Sequence, residues 1–471
     1  MSISKVLLLA LLLPLTNLSA QKTTKINFKI SGYTEGGTVK LLGSLFDQNY
    51  LADTVRLSPD GSASFTNAEG FKEGMYYLLT PDKNNFQFII AGGENDFTLK
   101  TSKDNLVLGM SVVGSIENKL LYDNARYQTA LEAKYNALSQ QLKAVQPNTP
   151  QYVDLSNQQK ALLEERDAKL QTLKKEYPNA LFTKFKLAGQ NPKIRMEYRA
   201  NGSLDSSATM FNYRRDWWND VDFTDGRLLR TPVFFTKLKR YIQEFTTQHQ
   251  DSLIAAADYL LPKTLTNDEL FNATASWIAS QYKPGQAKIM DGEAVYAHVV
   301  LKYFTPDKVK DISKEDLEST RKRAAEMLPS LLGKTGQDVW GVDKNNQRRN
   351  LYSLNATFKV VFIYNPDCEH CQEETPRLRT VYDQWKSRGV EVFSLVANAK
   401  NREEWLNFGK KYGVNWTDVY DPQLESRFHE KYFVDITPEV YVLDKNNKII
   451  AKNLKPNQLP ELFESELAKM K

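Results

Sequence analysis

The chain has two cysteines, Cys368 and Cys371, and both fall in one stretch, Asn365 to Pro376, which reads N-P-D-C-E-H-C-Q-E-E-T-P. Two thiols separated by two residues can close a disulfide when the first sits at a helix N-terminus and the second lies one turn inside it. Other uses of C-x-x-C fail on simple counts. A structural zinc site needs four ligands, and no second cysteine pair exists. Covalent haem attachment needs a histidine directly after the second cysteine, where Gln372 stands. The expected chemistry is thiol-disulfide exchange. It needs neither metal nor cofactor, because the electrons reside in the sulfurs.

The flanking elements have the right order to position the pair. Lys359 to Tyr364 is a short, nearly continuous apolar run, as expected of a strand buried on both faces of a sheet. Pro366 and Asp367 break it. Leu378, Val381, Tyr382 and Trp385 then recur at helical spacing, and Gly389 offers a stop after Arg388. A strand, a turn carrying C-x-x-C and a helix therefore follow one another. The first free N–H groups of the helix would face Cys368 and favour its thiolate. Cys368 is read as the nucleophile and Cys371, more enclosed, as the resolving thiol.

These residues resemble the thioredoxin superfamily, specifically the envelope thiol-disulfide oxidoreductases of the TlpA and ResA type. Pro376, five residues after Cys371, resembles the proline that kinks the active-site helix of that fold. Glu374 completes C-x-x-C-x-x-E-x-P, and the resemblance implies that it helps move protons. Ile436-Thr437-Pro438, followed by the strand-like Val440 to Leu443, resembles the segment with a cis-proline opposite the disulfide. The resemblance makes Thr437 and Pro438 substrate contacts. A purely structural disulfide would leave Pro376 and Thr437-Pro438 as coincidences.

The chain also departs from the pattern. Thioredoxin has a buried acid six residues before its first cysteine, and Phe362 stands there in this chain, so Glu374 would have to take the proton role. The dipeptide between the cysteines is Glu369-His370. A cationic His370 would lower the pKa of Cys368 and the charge of Glu369 would raise it, so the two tune the potential in opposite directions. Reductase, isomerase and oxidase all stay open.

Residues 1–20 have Lys5 as their only charge, a leucine-rich run from Val6 to Leu15, and Ser19-Ala20 before Gln21. This reads as a secretory signal peptide. It places the protein in the periplasm or cell envelope, where disulfides persist. No second membrane span is expected after its removal. The chain is 41% hydrophobic and 25% charged, with a net charge of +5 over 471 residues. Such diluted charge argues against a nucleic-acid partner.

The expected architecture is multidomain. Residues 22–115 alternate as a β-sandwich, with Pro59-Asp60-Gly61 read as the turn of a hairpin. Residues 116–328 change to helical period. Leu131, Tyr135, Leu138 and Leu142 lie on one of two helices folded back on each other, and Tyr213, Trp217, Trp218 and Phe223 are read as core packing. His249 and His298 are read as satisfied or exposed rather than as ligands. Residues 329–471 form a C-terminal α/β thioredoxin-like fold. It begins with a hairpin around Lys344-Asn345-Asn346 and includes a short helix over Leu424 to Tyr432. The expected partners are protein thiol or disulfide clients and a separate electron donor or acceptor. A reading from another class is an envelope binding or scaffold protein whose thioredoxin-like domain is regulatory or vestigial.

Overall fold

The computed structural model describes residues 23–33, 36–310 and 312–470. The leader-like residues 1–20 lie outside this range. By the density of contacts the chain divides into two compact units. One holds the described residues up to Ile194 with Arg215–Asp222 and Arg227–Lys237, and the other holds Arg195–Arg214, Phe223–Gly226 and Leu238 onward.

The first unit starts with eight strands in two four-stranded sheets. Phe28, Phe65, Phe86, Phe88 and Phe97, all 2% exposed or less, fill one core between them. The turn at Gly61 is present: Gly61 has φ +80°, and a Cβ there would meet the Ile30 carbonyl oxygen at 2.1 Å. The expected hairpin is not. The strand Gln48–Leu57 pairs with Gly37–Leu45, whereas Ser62–Asn67 pairs with Thr24–Ser31, so the turn joins two different sheets. Ser62–Asn67 alternates buried and exposed side chains without pairing with Gln48–Leu57, since alternation sets which side chains enter a core and not which strand lies alongside. Two helices follow, Ile116–Lys143 and Pro150–Glu176, capped by Ser115 and Thr149. They fold back on each other, with Tyr127 Oη donating to Glu165 at 3.2 Å and Gln159 Nε2 to Ser139 Oγ at 2.7 Å. Trp217 and Trp218 are core residues, 2% and 3% exposed.

The second unit contains the helices Gln250–Thr264, Asp268–Gln281, Gly292–Tyr303 and Lys314–Met327. His249 caps the first of these, and His298 shares a hydrogen bond of 2.8 Å with Asp258. A seven-stranded sheet follows. Its central strand, Phe358–Tyr364, is buried at all seven positions. It runs parallel to Val390–Val396 and antiparallel to Glu439–Asp444. Thr417–Tyr420 lies beyond Val390–Val396, and Ile449–Lys452 beyond Glu439–Asp444. The expected hairpin is present as Trp340–Val342 against Arg348–Asn350. The expected helix over Leu424 to Tyr432 shrinks to Phe428–Lys431. The Asp421 carboxylate accepts from the N–H groups of Glu425 and Ser426, and Leu424 and Arg427 adopt positive φ, so a turn replaces the first half of that helix.

The redox helix, Glu369–Trp385, follows the central strand after four residues. It tightens into a last turn at Lys386–Arg388 and stops at Gly389, whose φ of +88° is the left-handed value a C-terminal glycine supplies. A Cβ at Gly389 would sit 2.7 Å from Thr357 Oγ1.

Candidate active site

Cys368 is the N-cap residue of the redox helix. It is partly exposed, and its Sγ donates to the Thr437 carbonyl oxygen at 3.2 Å. Burial alone would raise its pKa. Hydrogen bonds from the Cys371 thiol and from the main-chain N–H groups of Cys371 and His370 outweigh this and hold Cys368 below the ordinary thiol range. Those N–H groups belong to the first turn of the helix, where the positive end of the backbone dipoles lies. Cys371, one turn in, has no exposed surface. Burial pushes its pKa up to about 12, although the Asn365 N–H points at its sulfur at 3.4 Å. Both thiols are unbonded. One sulfur, partly exposed, is thus eased toward the thiolate, and the other is kept as a thiol beneath it.

The remaining residues singled out above gather around this pair. The Thr437–Pro438 peptide bond is cis. Thr437 and Pro438 line a cavity of about 750 Å³ together with His370, Glu374, Arg377 and Met290. Glu374 is 7% exposed. Its Oε1 accepts from Arg377 at 2.5 Å, and its Oε2 has no hydrogen-bond partner among the described residues. Glu369 and His370 are exposed on the first turn, and His370 reaches Cys368 through its main-chain N–H.

Two groups beside the site were not found from the sequence. One is a buried ionic cluster. Glu439 directly follows Pro438 and is 6% exposed. Burial raises its pKa to about 8, against Lys452 and against hydrogen bonds from the Ile436 and Asp435 main chain. Lys452, 1% exposed, lies 3.7 Å from Asp291 and 3.6 Å from Glu293. The other is a polar network. Tyr364, at the end of the central strand, donates to Asp418, as do Ser394 and Trp405. The only sequence signal for either was a charged residue inside a strand-like run, Lys452 after Ile449 and Asp418 before Val419.

Residues 331–469 match the Redoxin family, and residues 163–326 match a domain of unknown function, DUF5106. Over 139 residues the chain is 29% identical to the thiol-disulfide oxidoreductase ResA of Bacillus thuringiensis subsp. konkukian, covering 30% of this chain and 78% of that protein. Over 108 residues it is 28% identical to ResA of Bacillus subtilis, spanning 23% of this chain and 59% of that protein. A crystal structure of a domain of a possible thiol-disulfide isomerase from Cytophaga hutchinsonii is 31% identical over 30% of this chain and 97% of its own, with a TM-score of 0.29. This chain is a TlpA/ResA-like member of the thioredoxin superfamily. Its TlpA/ResA-like part is confined to about the last third of the sequence, the part that carries Cys368, Cys371 and the Thr437–Pro438 bond.

Proposed function

We propose that this TlpA/ResA-like oxidoreductase reduces or isomerises protein disulfides, in the periplasm or cell envelope, through the Cys368–Cys371 couple. The observation that carries the reading is the division of labour between the two sulfurs. Cys368 is partly exposed at a helix N-terminus with a lowered pKa, and Cys371 is enclosed with a raised one. The Cys368 thiolate attacks a client disulfide and forms a mixed disulfide, releasing one client thiol. Cys371 then attacks Cys368, the second client sulfur leaves, and an intramolecular disulfide remains for a separate donor to reduce. Thr437, whose carbonyl already faces Cys368, and Pro438 hold the client segment. Glu374, beside the cavity and one turn from Cys371, exchanges protons with the site, and Glu369 and His370 set the potential. The leader-like residues 1–20 support an exported location.

The test is a Cys371→Ala variant expressed with its leader. It should accumulate client proteins as mixed disulfides with Cys368, recovered from the envelope fraction and released by reductant. A scaffold with inert thiols would trap none, and would keep its partners after Cys368→Ala.

A further inference from the structure

The cavity of about 750 Å³ beside the cysteines has one wall that does not come from residues 331–469, the part that matches the Redoxin family. Pro284, Ala287, Ile289 and Met290 build it, from the connection between the helices Asp268–Gln281 and Gly292–Tyr303. That connection belongs to the residues that match DUF5106. It is fastened to the α/β part. Asn453 Nδ2 donates to the Met290 carbonyl oxygen at 3.4 Å and to Glu293 Oε1 at 3.0 Å, and the Leu332 N–H donates to Asp291 at 2.8 Å. Met290 packs, as Cys368 does, against the core formed around the redox helix. The path of the connection depends on Gly292, where a Cβ would lie 2.1 Å from that of Ala287.

A client joined to Cys368 lies beside the Thr437 carbonyl, 3.2 Å from that sulfur, and Thr437 lines the cavity. The side chains that flank the client's cysteine therefore enter it. The charges there offer them little. Glu374 pairs with Arg377 and Asp435 with Arg323, each at 2.5 Å, and Glu293 lies 3.6 Å from Lys452. Glu439, with a pKa raised to about 8 by burial, is mostly neutral at pH 7. Apolar side chains remain to be read: Ile289 and Met290 are half-buried, and Ile436, before Thr437, is 55% exposed. Main-chain pairing with a client is indifferent to its sequence, and pockets for its side chains supply the selection. We propose that residues 284–290 are a specificity-determining wall of the exchange site, and that they select polypeptide clients with large apolar side chains next to the attacked cysteine. The inference rests on the exchange reading above and names its client class. It also gives the helical segment a part in the reaction.

The experiment mixes the reduced full-length protein with disulfide-cyclised synthetic peptides at pH 7. Acid quench, alkylation and mass then give the second-order rate at which the Cys368–Cys371 disulfide forms. Two peptides differ only in the residues that flank their cysteines, leucine in one and serine in the other. The leucine peptide should react about tenfold faster or more. Ile289→Ser should slow the leucine peptide and bring the two to within about threefold. Ile289→Lys should turn the selection around, so that a third peptide with glutamate at the flanking positions overtakes the leucine peptide. Loss of structure cannot produce that gain. The proposal is overturned if the wild type treats leucine and serine alike, or if either variant keeps the wild-type ratios. It is overturned as well if the wild type reduces bis(2-hydroxyethyl) disulfide, which has no side chains to read, but no peptide. A wild type that reduces neither would instead defeat the exchange reading itself.

Discussion

Cys368 and Cys371 are the same residue type on the same helix, and one turn of that helix separates their chemistry. The N-cap position gives Cys368 the main-chain N–H groups of His370 and Cys371, while the core gives Cys371 no water. Raising the pH through the lowered pKa of Cys368 converts it to thiolate, whereas Cys371 stays protonated until about 12. Iodoacetamide at pH 7 should therefore modify Cys368 and spare Cys371, with the Cys368 rate rising through an inflection below that of free cysteine. Peptide mass spectrometry reads the two sites separately, and comparable labelling of both would contradict the assignment. The places of Cys368 and Cys371 at a helix start were legible in the sequence because spacing and flanking periodicity put them there. Asp418 was not, because its character comes from Tyr364, Ser394 and Trp405, which lie 13 or more positions away along the chain and meet it only when the sheet forms.

Among the elements, the central strand and the redox helix follow directly from local pattern. Seven consecutive buried residues and a capped amphipathic helix need no distant information. The pairing of the front strands and the turn at Leu424–Arg427 did need it, since alternation names a buried face without naming the neighbour. The edge strand Ile449–Lys452 illustrates the same limit. Beyond its place in a strand-like run, nothing local marks Lys452 as buried, yet its ammonium is the cation that compensates Asp291 and Glu293, and it opposes the raised pKa of Glu439 beside Pro438. Asp291 is bound as well by the Leu332 N–H at 2.8 Å, so this lysine also stabilises the entry to the thioredoxin-like segment. Removing one partner of a buried ionic group leaves the others uncompensated. Lys452→Met should cost about 3–5 kcal/mol in chemical denaturation at neutral pH. A loss below about 1 kcal/mol would mean that the cluster is effectively solvated.

On the scale of the whole molecule, the chemistry occupies about a third of the chain, and the rest supplies strands and helices of a different kind. No helix among the described residues is long and apolar enough to cross a membrane. The order of strand-rich, helical and α/β segments could be read from the change of period along the sequence. The division into compact units could not, because Arg215–Asp222 and Arg227–Lys237 join the first unit across intervening residues of the second. The account as a whole depends on the sulfur pair cycling, and the most direct test is its reduction potential. The full-length protein would be equilibrated with thiol and disulfide buffers, and the Cys368–Cys371 bond scored by alkylation and mass. A single two-electron transition is predicted, between about −270 mV, the poise of a thioredoxin-like reductase, and about −120 mV, that of a strong oxidase. A pair that stays reduced, or stays oxidised, across that whole range would contradict thiol-disulfide exchange and leave the scaffold reading in its place.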